Sequence, residues 1–390
     1  MPNSSDTPSR RGRGIVKAFR LVLVAFACAV FFPGSLQAQQ PASEHSVVVY
    51  WKPGRYAAWP ANHGIWSWGN EILVGFEVGY FKRRGPDAHP ISHERPAEDL
   101  LARSLDGGET WTIEKHPDLL PPPGTKEAGI PIVGGGKLDS DCPGGIDFSN
   151  PNFALTAVMS DENGGASRFY YSMNRGRSWK GPYRLPNFGQ PSTAARTDYL
   201  INGKHSLTLF LTVSKANGKE GRVMVVQTDD GAKTWHFVSF IGPETPAGDY
   251  AIMSSTVRLS PTSLITAIRH SHWIEIWRSD NNMKTWRHVN TPVPETGKGN
   301  PPSMIRLRDG RIALTYGVRV APYQIRARLS NDNGNTWGPI LVLRTGAANW
   351  DIGYVRTVQR PDGKIVTVYY WDRSPKMDGY IAATIWDPGR

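Results

Sequence analysis

Cysteine is nearly absent from this sequence, which contains two in 390 residues. Cys28 lies in an apolar run near the N-terminus, so Cys142 is alone in the rest of the chain. A single thiol can form neither an intramolecular disulfide nor a thiolate metal cluster, and the fold must therefore be stabilised by a buried core. We expect Cys142 to be an inert packing residue, since no general base is identifiable beside it.

Long hydrophobic runs are equally scarce. The run LVLVAFACAVFF holds about a dozen apolar residues, too few to span a bilayer comfortably. It ends in the small residues SLQA, and a basic segment precedes it, with Arg10, Arg11, Arg13, Lys17 and Arg20. This order is typical of a secretory signal peptide. The sequence therefore predicts a signal peptide at 1–38, a secreted or periplasmic product, and no stable membrane insertion once the signal is removed.

Acidic residues are outnumbered, 34 against 45 lysines and arginines, which gives a formal net charge of +11. The basic residues form no dense run and the chain has no zinc-finger spacing, so a nucleic-acid partner is not expected. No His, Asp or Glu cluster has the spacing of metal ligands, and we predict neither a metal nor a cofactor. An acidic glycan or polysaccharide is the expected partner, although this charge can also serve solubility alone.

What the sequence does contain is a repeat. SLDGGETW begins at Ser104 and SNDNGNTW at Ser330, and weaker copies begin at Ser172, Thr228 and Ser279. The steps between them are 68, 56, 51 and 51 residues, the period of repeated β units such as propeller blades. Asp and Ser side chains of the motif can bond the backbone of a tight turn, and its tryptophan can fill the space between two sheets. We interpret all five copies as architecture.

Between the motifs, alternating strand patterns flank turn residues, as in 255–270, 303–319 and 354–371. Each blade then reads as strands A, B, C and D, with the motif at the C–D turn. The last hairpin lacks a motif and is expected to take SVVVYW (46–51) as its outer strand. The prediction is an all-β fold, a six-bladed β-propeller over 39–390. Blade two is the exception, because the long insertion 112–150 obscures its strands.

Chemistry is expected at the upper rim, the end of each blade opposite the motif turns, where a central funnel can bind a ligand. The candidate ligand-binding residues there come from several blades: Arg55, Arg196, Asp198, Arg269, Arg319 and Asp351. Guanidinium groups bind carboxylates in a bidentate fork, so several arginines at one funnel suit an anionic ligand. The alternative is that these arginines form ordinary salt bridges with Glu77, Asp198 and Asp351.

A long loop, 83–101, can fold over this mouth. It contains His89 and Arg95 besides the three candidates for a proton donor, which are Asp87, His93 and Glu94.

The motifs and rim residues together resemble the sialidase (neuraminidase) superfamily, six-bladed propellers built on Asp-boxes, over essentially the whole chain after residue 38. The resemblance implies an exo-acting glycoside hydrolase of the exo-α-sialidase type, with three arginines holding the carboxylate of a terminal acidic sugar. Tyr354 matches the family's nucleophilic tyrosine. Arg269 matches its second arginine, Arg55 stands in the place of the first without the usual Arg-Ile-Pro signature, and Arg319 is a candidate for the third.

The sequence departs from the family at two places. Where an acid should activate the tyrosine, the stretch AIMSS (251–255) has none, and Asp351, Asp198 or Glu77 could supply a base from another blade. For the family's acid/base aspartate, Asp87 is the nearest in kind, with His93 and Glu94 as rivals.

Two other functions stay open. The first is a rhamnosidase or lyase that acts on uronate polysaccharides, for which His63, His93 and His270 are available. The second is a glycan-binding propeller without turnover, because a fold alone does not fix a function.

Overall fold

The computed structural model describes Gln39, residues 44–372 and residues 379–389, and the predicted signal peptide 1–38 lies outside this set. Among the described residues, helix is limited to α1 (Pro60–His63) and a 3₁₀ turn (Pro117–Leu119). The alternating sequence patterns form antiparallel strands, as expected for half-buried β structure. Six large sheets result, and the predicted six-bladed β-propeller is confirmed.

The first three blades, in chain order, are irregular at their inner strands. Blade one contains β2 (Arg55–Ala58), β3 (Gly64–Trp68), β4 (Glu71–Tyr80), β5 (Glu98–Ser104) and β6 (Thr112–Glu114). A small hairpin follows, with β7 (Lys126–Glu127) and β8 (Ile130–Pro131). Blade two contains β9 (Ala154–Met159), β10 (Ser167–Ser172) and β11 (Lys180–Arg184). Blade three contains β12 (Thr193–Ala194), β13 (Tyr199–Ile201), β14 (Leu207–Ser214), β15 (Glu220–Thr228) and β16 (His236–Ile241).

The last three blades have the regular four strands each. Blade four contains β17 (Ile252–Arg258), β18 (Leu264–Arg269), β19 (Ile274–Ser279) and β20 (Arg287–Val293). Blade five contains β21 (Ser303–Arg306), β22 (Ile312–Val318), β23 (Gln324–Ser330) and β24 (Leu341–Thr345). Blade six contains β25 (Gly353–Gln359), β26 (Ile365–Trp371), β27 (Tyr380–Trp386) and β1 (Glu44–Tyr50).

The ring closes as the sequence predicted. β1, which includes most of SVVVYW, pairs antiparallel with β27, and Val47 lies opposite Ala383. The first strand of the chain is therefore the outer strand of the last blade, which covers the edge that β27 would otherwise expose.

Blade two departs from the predicted four strands, because the described chain before β9 forms no inner strand paired with it. The preceding segment, 112–150, is rich in proline and glycine, which disfavour strands since proline cannot donate a ladder hydrogen bond. Thr197 of blade three fills part of the gap, where Ala157 N donates to Thr197 Oγ1 at 3.1 Å.

Each of the five motif copies is the turn before the outer strand of its blade, which corresponds to the predicted C–D turn. In the first copy Gly108 N donates to Ser104 Oγ at 2.7 Å, and Trp111 Nε1 donates to Gly108 O at 2.9 Å. Each motif tryptophan packs in an apolar cluster shared by two neighbouring blades: Trp111, Trp179, Trp235, Trp286 and Trp337. The repeat is therefore the frame of the ring.

The acidic residue of the turn makes its own network. Asp230 accepts from Thr234 N at 3.0 Å, Thr234 Oγ1 at 2.6 Å and Thr228 Oγ1 at 2.9 Å. Partial burial opposes ionisation, but these hydrogen bonds lower the pKa of Asp230 to about 2. The unfolded value is about 3.9, so this contribution to stability is complete above about pH 4 and is lost as the pH falls towards 2.

We expect the Asp230→Asn variant to fold normally and to lose less stability than the wild type between pH 4 and pH 2. An amide is tolerated here, because Asn174 and Asn281 occupy the same position in two other copies. The carboxylate is partly exposed, so solvent screening keeps the difference below about 1 kcal/mol. Urea unfolding across this pH range measures it. Asn281→Asp is the reverse control and should gain acid sensitivity, and identical pH dependence in all three proteins would contradict the prediction.

Candidate functional site

Tyr354 stands at the upper rim in a strained backbone conformation. Its φ is 49°, in the left-handed region, directly after Gly353 with a φ of 104°. The buried Asn300 holds this bend on both sides, because its Oδ1 accepts from Tyr354 N at 2.9 Å and its Nδ2 donates to Ile352 O at 2.8 Å. A Cβ at Gly353 would lie 2.3 Å from Asn300, so only glycine fits there. Strain held in this way is common where a side chain must be presented to a ligand.

Arg269 comes from blade four and binds the Tyr354 phenol. It ends β18, opposite Ile274, whereas the motif residue Ser279 lies opposite Leu264 at the other end of the sheet. Its Nη1 donates to Tyr354 OH at 2.9 Å and its Nη2 to Tyr250 OH at 3.1 Å. Burial alone would lower the pKa of Arg269, but the two phenols raise it above its usual value. The guanidinium therefore remains charged beside the Tyr354 oxygen.

Arg319 reaches the same place from blade five. Its Cζ lies 5.3 Å from the Tyr354 ring centre, and its Nε donates to Ile352 O at 3.1 Å. Its Nη2 donates to the phenol of Tyr370. Two of the predicted arginines thus meet at Tyr354, but both are buried and donate to phenols and backbone instead of lying open to a ligand.

Arg55 is placed elsewhere. Its Nη2 donates to Glu98 Oε1 and to Val78 O, both at 3.0 Å, and its guanidinium lies 4.1 Å from the Tyr80 ring centre. The neighbouring Tyr56 instead points towards blade six, where its hydroxyl reaches Asp351 at 2.5 Å. Successive side chains of a strand face opposite sides, which explains why Arg55 does not join the other two arginines.

No acid supports Tyr354 where the family would have one, in agreement with the sequence. Met253 occupies this place, with its Sδ 3.4 Å from Arg269 Nη1. Over the described part of the chain, the Tyr354 hydroxyl bonds to Arg269 and to no carboxylate.

Asp351 is buried at the base of the site and accepts three hydrogen bonds. Tyr56 OH and Tyr370 OH each donate at 2.5 Å, and the Nδ1 of His89 lies 2.7 Å from its Oδ1. Burial alone would raise the pKa of Asp351, but the charges of His89 and Arg319 lower it below its usual value. The sequence pointed to Asp351 but not to its partner, because no local pattern connects residues so distant in the chain.

Tyr354 opens into a cavity of about 290 Å³, which we call the mouth cavity. Aromatic and basic groups form part of its wall: Trp59, Arg84, His89, His93, Arg196 and Tyr354. The loop between β4 and β5 supplies three of these groups, so it covers the mouth as the sequence predicted. Of this set, Trp59, Arg84 and His89 were not predicted as site residues.

Four carboxyl groups also belong to this wall: Glu77, Asp87, Glu127 and Glu162. Glu77 and Glu127 are buried, which raises the pKa of each well above its usual value, and the charge of Glu127 raises that of Glu77 further. Burial and the charge of Glu220 also raise the pKa of Glu162. Arg196 is held at this wall by Glu220, with its Nη1 3.0 Å from Glu220 Oε2.

The predicted proton donors of the loop are engaged with cations. Asp87 is 82% exposed and pairs with Lys298. Glu94 is 74% exposed and lies 2.6 Å from Lys82 Nζ, so it faces solvent and is not part of the cavity wall. His93 Nε2 lies 2.5 Å from Arg84 Nη1, and burial and that guanidinium lower the pKa of His93.

Asp198 lies away from Tyr354, near the axis of the ring. It accepts from Ser254 Oγ at 2.7 Å and Thr256 Oγ1 at 3.0 Å, and burial raises its pKa to about 6. It lines a small inner pocket together with Arg356 instead of the mouth cavity. Its hydrogen bonds indicate a structural role.

Within the described ranges, no three His, Cys, Asp or Glu side chains are arranged to hold a metal ion. The helices found there are also too short and too polar to cross a membrane.

Comparison with solved structures shows which proteins share this fold. A protein of unknown function from Dyadobacter fermentans is 19% identical with a TM-score of 0.64, covering 89% of this chain and 98% of that one. A Trypanosoma rangeli sialidase in complex with sialic acid is 11% identical with a TM-score of 0.55, covering 89% and 59%. An α-L-arabinofuranosidase from Fusarium graminearum is 12% identical with a TM-score of 0.56, covering 88% and 97%. At these identities the likeness is one of fold.

No curated protein matches the sequence. The family model of the BNR repeat-like domain matches residues 148–367, which include four of the five motif turns. The resemblance to sialidase-type propellers is thereby confirmed for the repeat and the fold. This chain belongs to the BNR repeat-like domain family.

Proposed function

We propose that this protein is an exported glycoside hydrolase that removes a terminal acidic sugar in the mouth cavity. The observation that carries the proposal is the hydrogen bond of 2.9 Å from Arg269 Nη1 to the Tyr354 hydroxyl at the cavity wall. A phenol is a poor nucleophile unless a base or a cation stabilises its anion. Arg269 and Arg319 supply that positive charge, and tyrosine nucleophiles are known among glycosidases.

The acidic sugar is proposed from the basic side chains at the cavity wall. Arg84 and Arg196 line the cavity whereas Arg269 and Arg319 do not, so Arg84 and Arg196 are the arginines that could bind a substrate carboxylate. The carboxyl groups that line the same cavity, Glu77, Glu127 and Glu162, suit the hydroxyl groups of a sugar, since carboxyl groups accept and, when protonated, donate hydrogen bonds.

The structural neighbours support hydrolysis of glycosides in general. A sialidase that binds sialic acid and an α-L-arabinofuranosidase share the propeller. Because these two enzymes act on different sugars, the neighbours do not favour one substrate.

A lyase acting on a uronate polysaccharide is the second candidate, and Met253 favours it. A tyrosine nucleophile in a hydrolase is usually activated by a carboxylate. Here Met253 stands in that place, and among the described residues the Tyr354 hydroxyl has a hydrogen bond to Arg269 alone. A phenolate held by a guanidinium can also act as the base that removes the proton next to a uronate carboxylate.

We expect the purified protein to release the fluorophore from methylumbelliferyl glycosides of sialic acid or glucuronic acid. The matched control is the glucoside, which has a hydroxymethyl group where the glucuronide has its carboxylate, and it should react at least about tenfold more slowly. An ultraviolet-absorbing unsaturated product from a uronate polysaccharide would identify the lyase instead. Turnover of neutral glycosides alone would contradict the acidic sugar, and glycan binding without any product would contradict an enzyme.

A further inference from the structure

His89 lies on the loop between β4 and β5, at the wall of the mouth cavity. Its ring packs between two tryptophans, with ring centres 5.1 Å from Trp59 and 5.4 Å from Trp350. The Nε1 of Trp350 also donates to Pro86 O at 2.7 Å, which fixes the loop beside it. The imidazole is therefore held in one orientation although its side chain is 34% exposed.

The anchor of this imidazole is a buried carboxylate. Asp351 is 4% exposed, accepts from Tyr56 and Tyr370, and lies 2.7 Å from His89 Nδ1. A carboxylate that binds Nδ1 fixes the tautomer and stabilises the imidazolium, as in hydrolytic triads. Nε2 is left for a ligand, since His89 lines the mouth cavity and no other hydrogen bond of its ring is found among the residues that the structure describes.

We propose that His89, positioned by Asp351, is the proton-transfer residue of this site, an inference that rests on the proposed hydrolysis. The three loop residues that the sequence offered for this role lack such an anchor. Asp87 pairs with Lys298, Glu94 with Lys82 and His93 with Arg84, all through exposed contacts.

The reaction then proceeds in two balanced steps. In the first, the Tyr354 oxygen donates an electron pair to the anomeric carbon and gives up its proton to solvent. The bond from that carbon to the glycosidic oxygen breaks, and the oxygen keeps the pair and takes the Nε2 proton of the His89 imidazolium. In the second, neutral His89 takes a proton from water, whose oxygen bonds to the anomeric carbon. The bond to Tyr354 breaks and its oxygen regains a proton from solvent, which restores the phenol and the imidazolium.

Leaving-group dependence tests this role, because a nitrophenolate leaves without a proton whereas an alkoxide does not. We expect His89→Gln to lower kcat on an alkyl or disaccharide substrate by about 10²–10⁴-fold, and on the matching nitrophenyl glycoside by much less. Asp351→Asn should lower kcat less than His89→Gln does, but again more on the alkyl or disaccharide substrate than on the nitrophenyl glycoside. Imidazole added to a His89→Gly variant should restore part of the activity. Thermal unfolding confirms that each variant is folded.

The matched control is His236→Gln, a histidine 56% exposed on the outer strand β16, which should behave as the wild type on both substrates. If His89→Gln retains full activity, or loses the same factor on both leaving groups, the proton-transfer role is overturned while the hydrolase stands. If the wild-type protein cleaves none of these glycosides, the proposed function and the role of His89 fall together.

Discussion

Replacing Tyr354 by phenylalanine is expected to lower kcat by about a thousandfold or more, which is the range found when a nucleophile is removed. The variant loses one oxygen, the atom that Arg269 holds at 2.9 Å. The ring should stay in place, because Asn300 fixes the Tyr354 backbone and Arg319 lies against the ring face. Steady-state kinetics on the glycoside that the wild type cleaves best measures the effect.

Tyr250→Phe is the matched control for this variant. It removes a phenolic oxygen from the same guanidinium, at 3.1 Å from Arg269 Nη2, but Tyr250 does not line the mouth cavity. We expect this variant to lose only a few-fold in kcat. Equal losses in the two variants would show that the phenols merely hold Arg269, and an active Tyr354→Phe protein would remove the tyrosine from the mechanism.

Replacing Arg356 by methionine is expected to destabilise the fold by about 3–5 kcal/mol, the range for leaving a buried charge without a compensating one. Arg356 is buried inside the ring, where its Nη2 donates to Thr197 O at 2.7 Å and to Ala61 O. Burial lowers its pKa to about 10, and the charge of Asp198 opposes this shift. The variant leaves Asp198 buried without its cation.

The pH dependence of this effect follows from Asp198, whose pKa of about 6 in the folded state lies above the unfolded value of about 3.9. The folded protein holds this proton more tightly, so stability falls as the pH rises from about 4 to about 6. Without Arg356 the ionised carboxylate is more costly, and the loss of stability should be larger at pH 7.5 than at pH 4.5. Denaturant unfolding at both values measures it.

The Asp198→Asn substitution, added to Arg356→Met, should recover part of the lost stability, because it removes the uncompensated charge. Arg287→Met is the matched control, since Arg287 is 58% exposed with its partner oxygen at 3.6 Å, and it should change stability by less than about 1 kcal/mol. A loss in Arg356→Met no larger than in this control would contradict the role of the buried pair.

The frame of the molecule was predictable because its information is local. Ser104 and Trp111 bond to the same turn glycine, Gly108, so eight consecutive residues specify each turn without reference to the rest of the chain. The regular spacing then gave the number of blades, and the absence of a motif in the last hairpin gave the closing strand. The missing inner strand of blade two was not predicted, because that position is filled by an irregular segment and by Thr197.

The site was only partly predictable, because it depends on which face of a strand a side chain takes. Arg269 and Arg319 were expected to lie near Tyr354, and they do. Their guanidinium groups were expected to bind a ligand carboxylate, but they donate hydrogen bonds to the phenols of Tyr354 and Tyr370. One position separates Arg55, which turns to Glu98, from Tyr56, which turns to Asp351. The contact between His89 and Asp351 joins residues 262 positions apart, a pairing that no single sequence pattern records.

The closing strand has a consequence for how this molecule is made. Ser46 and Thr384 share a hydrogen bond across 338 positions of the chain, so the last sheet cannot assemble until both of its distant segments have emerged. Contacts of such long range slow folding. Until β1 pairs with it, β27 is an edge strand whose unpaired backbone groups can bind another chain. At high concentration the β1 of a second copy can occupy that place first, so refolding should give interlocked dimers that dilution prevents.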